Sequence, residues 1–197
     1  EGLGTIRNFE KLESLWDQLG KAIVIIKIGK SEHAKVSAVS HTASLAGSDK
    51  GAAALMKRFG IARVNSLSEF IETLKIFHCH GRLSGPSVAS VSCSGGEASL
   101  IADLSNGKQI SFPKLTKIQI EDLEIALGAK VALANPLDYH TYIWGNADKM
   151  AQTFISIMKG ENIDLGIIIV DFPRSDLCEP TAWDCVVEAA MVTKKEI

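Results

Sequence analysis

Along the chain, short β-branched runs alternate with stretches whose apolar residues recur every three to four positions. Residues 7–19 put Phe9, Leu12, Leu15, Trp16 and Leu19 on one stripe, the spacing of an amphipathic helix. Residues 22–28 (Ala-Ile-Val-Ile-Ile-Lys-Ile) are the strongest strand signal of the first half and are closed by Gly29. The region 31–49 reads as a long loop between that strand and a helix over 49–59. A short strand at 62–64 ends at Asn65. Ser66 with Glu69 three residues later is the signature of a capping box, opening a helix that turns Phe70, Leu74 and Phe77 inward.

The second half repeats the alternation. A strand at 87–93 runs into the turn 94–97 and a helix over 98–104. A helix at 113–127, a strand at 130–134, a helix at 146–158, a strand at 165–171 and a last helix at 181–192 follow. Such alternation predicts an α/β fold with parallel strands covered on both faces. The first eighty residues offer only two strands and three helices, too few for a doubly wound sheet. They are therefore expected to be the C-terminal part of a domain (1–80), with Glu1-Gly2-Leu3-Gly4 as a strand end and turn. A linker at 81–86 and a second unit at 87–197 complete the division. The strand at 22–28 is too apolar for a free edge, so another segment or a second copy of the chain should cover it.

Composition narrows the class. Of 197 residues, 46% are apolar and 22% charged, the balance of a core-forming globular chain. A net charge of −2 gives no electrostatic case for nucleic acid or an acidic membrane surface. The apolar runs are too short to span a bilayer, and no secretory signal opens the sequence. A cytoplasmic protein without nucleic-acid or membrane partners is the expectation. The four cysteines, Cys79, Cys93, Cys178 and Cys185, lack zinc spacing and do not call for disulfides. His78-Cys79-His80 has ligand-type residues but too few companions. It reads as a polar helix end, and no metal site is expected.

Two places carry chemistry. His41 is flanked by Ser40 and Thr42 and followed by the small residues Ala43, Ser44, Ala46 and Gly47. Small neighbours leave an imidazole open, and hydroxyls can bond a phosphate. Neutral imidazole is nucleophilic near pH 7, and a phosphoimidazole is a high-energy donor. The second place is Ser94-Gly95-Gly96, a glycine turn between strand and helix. It can be an anion site, because helix-terminal N–H groups and the dipole converge there, or a plain tight turn. Glu97 in the first helical turn complements the dipole. His140, among Tyr139, Tyr142 and Trp144, reads as a packed, hydrogen-bonded residue.

Gly29-Lys30-Ser31-Glu32 together with Ser40-His41-Thr42-Ala43-Ser44-Leu45-Ala46-Gly47-Ser48-Asp49 resembles the phosphohistidine segment of the NDP-forming acyl-CoA synthetases, relatives of succinyl-CoA synthetase. Their pattern is Gly-(Arg/Lys)-Ser-Glu followed by Ser-His-Thr-Gly-(Ala/Ser)-Leu-Ala-Gly-Ser-Asp, so Ala43 stands where they usually have glycine. The resemblance implies two flavodoxin-like, succinyl-CoA-synthetase-like units, the first incomplete, and transient phosphorylation of His41. Ser94-Gly95-Gly96 is similar to the start of the family's Ser-Gly-Gly-Pro-Gly turn, with Glu97 and Ala98 in place of proline and glycine. Asn135-Pro136-Leu137-Asp138 matches its Asn-Pro-(Val/Leu)-Asp strand end. The implied phosphate-binding residues are Ser40, Thr42, Ser94, Gly95, Gly96, Asn135 and Asp138. Glu1 falls at the place of the family's glutamate that partners the histidine.

The implied reaction interconverts acyl-CoA, phosphate and ADP with acid, CoA and ATP. CoA, ATP or ADP and Mg2+ would serve the intact enzyme, with none held tightly by this stretch alone. The implied partners are a CoA-binding domain and an ATP-grasp domain, in the same chain or another subunit. The alternative is a non-catalytic regulatory or scaffolding module of the same fold with a vestigial histidine. Ala43 and the altered glycine turn keep it open, while the intact Ser40-His41-Thr42, Asn135-Pro136 and Asp138 favour the enzyme.

Overall fold

The computed structural model describes residues 5–42 and 47–197, with the side chains of Trp16, Asp17, Leu19, His41 and Thr42 outside the described set. By its contacts the chain divides into two units, Glu1–Arg82 and Leu83–Ile197.

The first unit runs α1 (Ile6–Leu19), β1 (Val24–Ile26), α2 (Glu32–Thr42), α3 (Asp49–Arg58), β2 (Ala62–Val64) and α4 (Leu67–His80). β1 and β2 pair in parallel, Val24 opposite Ala62 and Ile26 opposite Val64. Phe9, Met56, Phe59 and Ile61 form the core against Ile23, Ile25 and Leu55, with the Phe9 and Phe59 rings stacked at 5.9 Å. Burial of that small cluster fixes α1 and α3 on the sheet. Of the other expected inward positions, Leu12, Leu15 and Leu74 face outward. No residue of α4 is buried, so Phe70 and Phe77 are only half-covered.

The expected loop at 31–49 is mostly helix. The Ser31 hydroxyl accepts the Ala34 N–H at 3.2 Å, and the Lys35 N–H bonds the Ser31 carbonyl at 3.0 Å. This is a side-chain N-cap, and the Glu32–Lys35 pair at 2.6 Å supports the first turn. The segment shows no helical period because it has little apolar face to bury, and Val36 and Val39 are both exposed. Ser48 caps α3, accepting the Gly51 N–H at 3.4 Å. At Ser66 the hydroxyl accepts the Glu69 N–H, while the Glu69 carboxylate reaches back to the Asn65 N–H at 2.6 Å, one residue earlier than the ideal box.

The second unit runs β3 (Val88–Ser92), α5 (Gly95–Ser105), α6 (Lys117–Leu127), β4 (Leu137–Asp138), α7 (Ala147–Met158), β5 (Leu165–Ile168) and α8 (Thr181–Glu196). Its sheet is parallel in the order β4-β3-β5, with the wholly buried β3 at the centre. Ala89, Val91, Leu123, Leu137, Tyr139, Met150, Phe154 and Ile157 fill the core, the Tyr139 and Phe154 rings meeting edge-to-face at 5.4 Å.

Two boundaries differ from expectation for local chemical reasons. α6 starts at Lys117, not 113, because Thr116 and Gln119 form a reciprocal capping box at 3.2 and 2.8 Å. The strand expected at 130–134 does not form. Only Leu137 and Asp138 pair with β3, through Val91 and Ser92. Upstream of them the side chain of Asn135 does the pairing: its Oδ1 accepts the Ser90 N–H at 3.1 Å, and its Nδ2 donates to the Val88 carbonyl at 2.8 Å. One amide side chain thus replaces a strand segment on β3.

Candidate functional site

In a parallel α/β sheet, ligands sit at the carboxyl ends of the strands. Each unit has such an edge, and the two carry opposite charge.

In the first unit, Gly29 follows β1 with φ +81°, a left-handed conformation open to glycine at little cost, and this turns the chain toward α2. Lys27 lies just beyond β1 and is 2% exposed, its ammonium donating to the Ile28 carbonyl at 3.0 Å. Lys30 donates to Asn65 Oδ1 at 2.6 Å, and the Arg63 guanidinium binds the Asp49 carboxylate at 2.5 Å. Asp49 is held below the usual carboxylate range first by its hydrogen bond to Arg63, then by the charges of Arg63, Lys30 and Lys27, against the opposing effect of burial. Of these cations only Arg63 bonds Asp49, while the charges of Lys30 and Lys27 reach it from farther off.

His41 and Thr42 close α2 at the backbone level, and their side chains lie outside the described residues, as do Glu1 and Ala43. His41 therefore sits on a helix end and not mid-loop. The Ser40 hydroxyl donates to the Ser37 carbonyl at 2.8 Å, so its proton is engaged within its own helix.

In the second unit, Ser94 is the N-cap of α5, and the helix begins at Gly95, three residues before the expected start. Gly95 and Gly96 are thus in the first turn, where N–H groups have no partner within the helix. The Ser94 side chain makes no capping bond; its carbonyl accepts the Ser92 hydroxyl at 2.9 Å. Asp138 lies over this turn, since a Cβ added at Gly95 would stand 3.1 Å from Asp138 Oδ2.

The Asp138 carboxylate also accepts the His140 N–H at 2.9 Å and lies 3.7 Å from His140 Nδ1. It holds His140 at φ +57°, with the imidazole half-exposed beside Tyr142 and not packed away as expected. Glu97 is pushed up first by burial and then by the charges of Asp171 and Asp138, and one of its oxygens is buried without a partner. Burial, Glu97 and Asp171 raise the Cys93 thiol in the same way. This edge is acidic, so a bare phosphate there would meet like charge.

The structure brings Ser94, Gly95, Gly96 and Asp138 together and sets Asn135 apart. Both Nδ2 protons of Asn135 are used, the second on the Pro113 carbonyl at 3.2 Å, which leaves no donor for a phosphate. Among the described residues no group of three or more His, Cys, Asp or Glu side chains is placed to hold a metal ion. No described helix is long and apolar enough to cross a membrane. Lys27 and Arg63 were not singled out from sequence, and Lys30 entered only as part of the matched segment. The available signal was a lysine inside the apolar run 22–28, where a strand should bury it.

Residues 1–77 match the family described as "Succinyl-CoA ligase like flavodoxin domain". The chain is 30% identical over 161 residues to the alpha subunit of an ADP-forming acetate–CoA ligase II of Pyrococcus furiosus, covering 82% of this chain and 35% of that one. It is 31% identical over 118 residues to an ADP-forming acetate–CoA ligase of Methanocaldococcus jannaschii, covering 60% and 17%. The chain therefore spans about a third or less of the length of these relatives. Its fold is similar to that of the dinucleotide forming acetyl-coenzyme A synthetase 1 of Ca. Korarchaeum cryptofilum solved with phosphate and ADP. That match has a TM-score of 0.74 at 20% identity, over 98% of this chain and 41% of that one.

Proposed function

This chain is a relative of the NDP-forming acyl-CoA synthetases, and we propose that it supplies the phosphoryl-relay part of such an enzyme. The observation that carries the reading is the position of the Gly29–Asp49 segment. It follows the carboxyl end of β1, where phosphoryl groups are bound in sheets of this kind, in the part of the chain that matches the succinyl-CoA ligase family. The overall conversion is acyl-CoA, phosphate and ADP to acid, CoA and ATP.

In the first step phosphate displaces CoA from the acyl carbon, giving acyl phosphate. The His41 imidazole then attacks phosphorus, and the carboxylic acid leaves. ADP takes the phosphoryl group from His41 in the last step, and the histidine is restored. Glu1 would orient the imidazole through its other nitrogen, fixing the tautomer that attacks. In the first unit Ser40 and Thr42 would donate to phosphoryl oxygens, Ser40 on releasing the Ser37 carbonyl; in the second unit the N–H groups of Gly95 and Gly96 would be phosphoryl donors, with Ser94 opening that turn. Asp138 would act through its geometry at the turn and not as a direct phosphate ligand, since both are anionic. Residues 1–80 and 87–197 would each be a CoA-ligase flavodoxin-like domain, joined by 81–86.

CoA and the nucleotide would be held by a CoA-binding domain and an ATP-grasp domain, in the same chain or another subunit, with Mg2+ arriving on the nucleotide. The stretch alone should lack turnover. A cytoplasmic enzyme, with a second copy covering the first unit, is part of the same reading.

The acidic surroundings of the α5 N-terminus favour one rival, a non-catalytic module with a vestigial histidine. Incubating the full-length protein with ATP and Mg2+ separates the two. The relay predicts one acid-labile, base-stable phosphoryl group per chain, and the module predicts none.

A further inference from the structure

Asp164 sits at the entry to β5 and accepts hydrogen bonds from the segment that leads into β3. The Ser84 hydroxyl donates to its Oδ1 at 2.6 Å, and the Ser87 N–H donates to its Oδ2 at 2.9 Å. Main-chain bonds close round the same place. The Asp164 and Leu165 N–H groups both donate to the Ser87 carbonyl, at 2.8 and 3.2 Å, and the Ser111 N–H donates to the Pro86 carbonyl at 2.9 Å. Between the two serines Gly85 passes so close that a Cβ there would stand 2.5 Å from Asp164 Oδ2. A side chain at position 85 and the carboxylate could not both keep their places. Hydrogen bonds to an ionised carboxylate are of the stronger kind. The Ser84 hydroxyl, and next the Ser87 N–H, hold the Asp164 carboxyl below its usual range, against the opposing effect of burial.

On the other side of the linker, the Gly81 N–H donates to the Phe77 carbonyl at 3.0 Å and ends α4. Gly81 has φ +68°, a conformation open to glycine at little cost. Arg82 and Leu83 remain between these two anchors. Among the described residues neither makes a hydrogen bond or ion pair, and the division between the units falls between them.

We infer that Asp164 is a clasp that fastens residues 84–87 to the second unit and confines the hinge of the linker to Arg82 and Leu83. The stretch 81–86 is then tied at both ends, with two free residues near its start. The clasp stands or falls independently of the phosphoryl relay.

Trypsin reads it directly, because it cuts after Arg82, and cutting requires the chain around that bond to open locally. In the full-length protein the Arg82–Leu83 bond is expected to resist brief digestion. Asp164→Ala removes both side-chain bonds, and Gly85→Ala forces the carboxylate aside. Each is expected to speed the appearance of the fragment beginning at Leu83 about tenfold. Ser84→Ala removes one bond at an exposed position, should fold whatever the others do, and is expected to speed it about threefold. Cutting at Lys149, inside α7, is followed in the same digests and should not change. Rates at Arg82 within about twofold of the unmodified protein in all three variants overturn the clasp. So does a gain at Lys149 equal to that at Arg82, which would mark unfolding of the second unit and not release of the linker.

Discussion

Asn135 shows how one side chain can hold a sheet edge. Replacing it by alanine removes three hydrogen bonds and leaves the Ser90 N–H and Val88 carbonyl of the buried β3 without partners. Asn135→Ala is expected to destabilise the second unit by about 2–4 kcal/mol, read from urea unfolding. A change within error would mean that the main chain re-pairs with β3 unaided. Glu97 makes the opposite case. Its folded-state pKa lies above the ordinary 4.5, so ionising it opposes folding, and the penalty grows as pH rises through that range. Glu97→Gln should therefore stabilise the protein at pH 7, with the gain shrinking as pH falls below the unfolded value. A gain that is equal at pH 7 and at acid pH would show that charge is not the cause. Neither role could be read from a period-2 or period-3.6 pattern. Sequence matching pointed to Asn135 as a phosphate ligand, but its amide is bonded to the backbone.

At the scale of elements, β1, β2, α3 and α7 were legible because each buries an apolar face, and burial leaves a pattern. The helix α2 was not, since its stability comes from the Ser31 cap and local pairs and its valines face outward. The Ser31 signal is the same kind that located α4 at Ser66, so capping chemistry could have found it. The structure makes a direct prediction: amide protons from Lys35 to Thr42 should exchange with solvent more slowly than those of an open loop. Ser31→Ala should cost about 1 kcal/mol of helix stability and speed that exchange. Loop-like exchange rates in the unmodified protein would restore the expectation of an extended His41 loop. The missing strand at 130–134 has the converse cause, an apolar segment that packs without pairing.

For the whole molecule, the alternation of strand and helix and the resemblance at Gly29–Asp49 were enough to anticipate an α/β chain of flavodoxin-like units. What they could not supply was the sign of charge at each strand edge, which depends on side chains brought together from distant positions: Lys27 with Asp49 and Arg63, and Glu97 with Asp138 and Asp171. The first unit also exposes Ile6, Leu12, Leu15, Val36, Leu67 and Ile71, more apolar surface than a unit with one small core should leave bare. Expressed by itself, the stretch is expected to self-associate or bind a hydrophobic dye; a monodisperse monomer that binds none would contradict this. The proposed relay puts the phosphoryl group on His41. Its most direct test is to label the full-length protein with radiolabelled ATP and map the acid-labile phosphate by peptide, in the unmodified protein and in His41→Asn and His140→Asn. Label is expected on the His41 peptide, lost with His41→Asn and kept with His140→Asn. Label that survives His41→Asn and disappears with His140→Asn would contradict it.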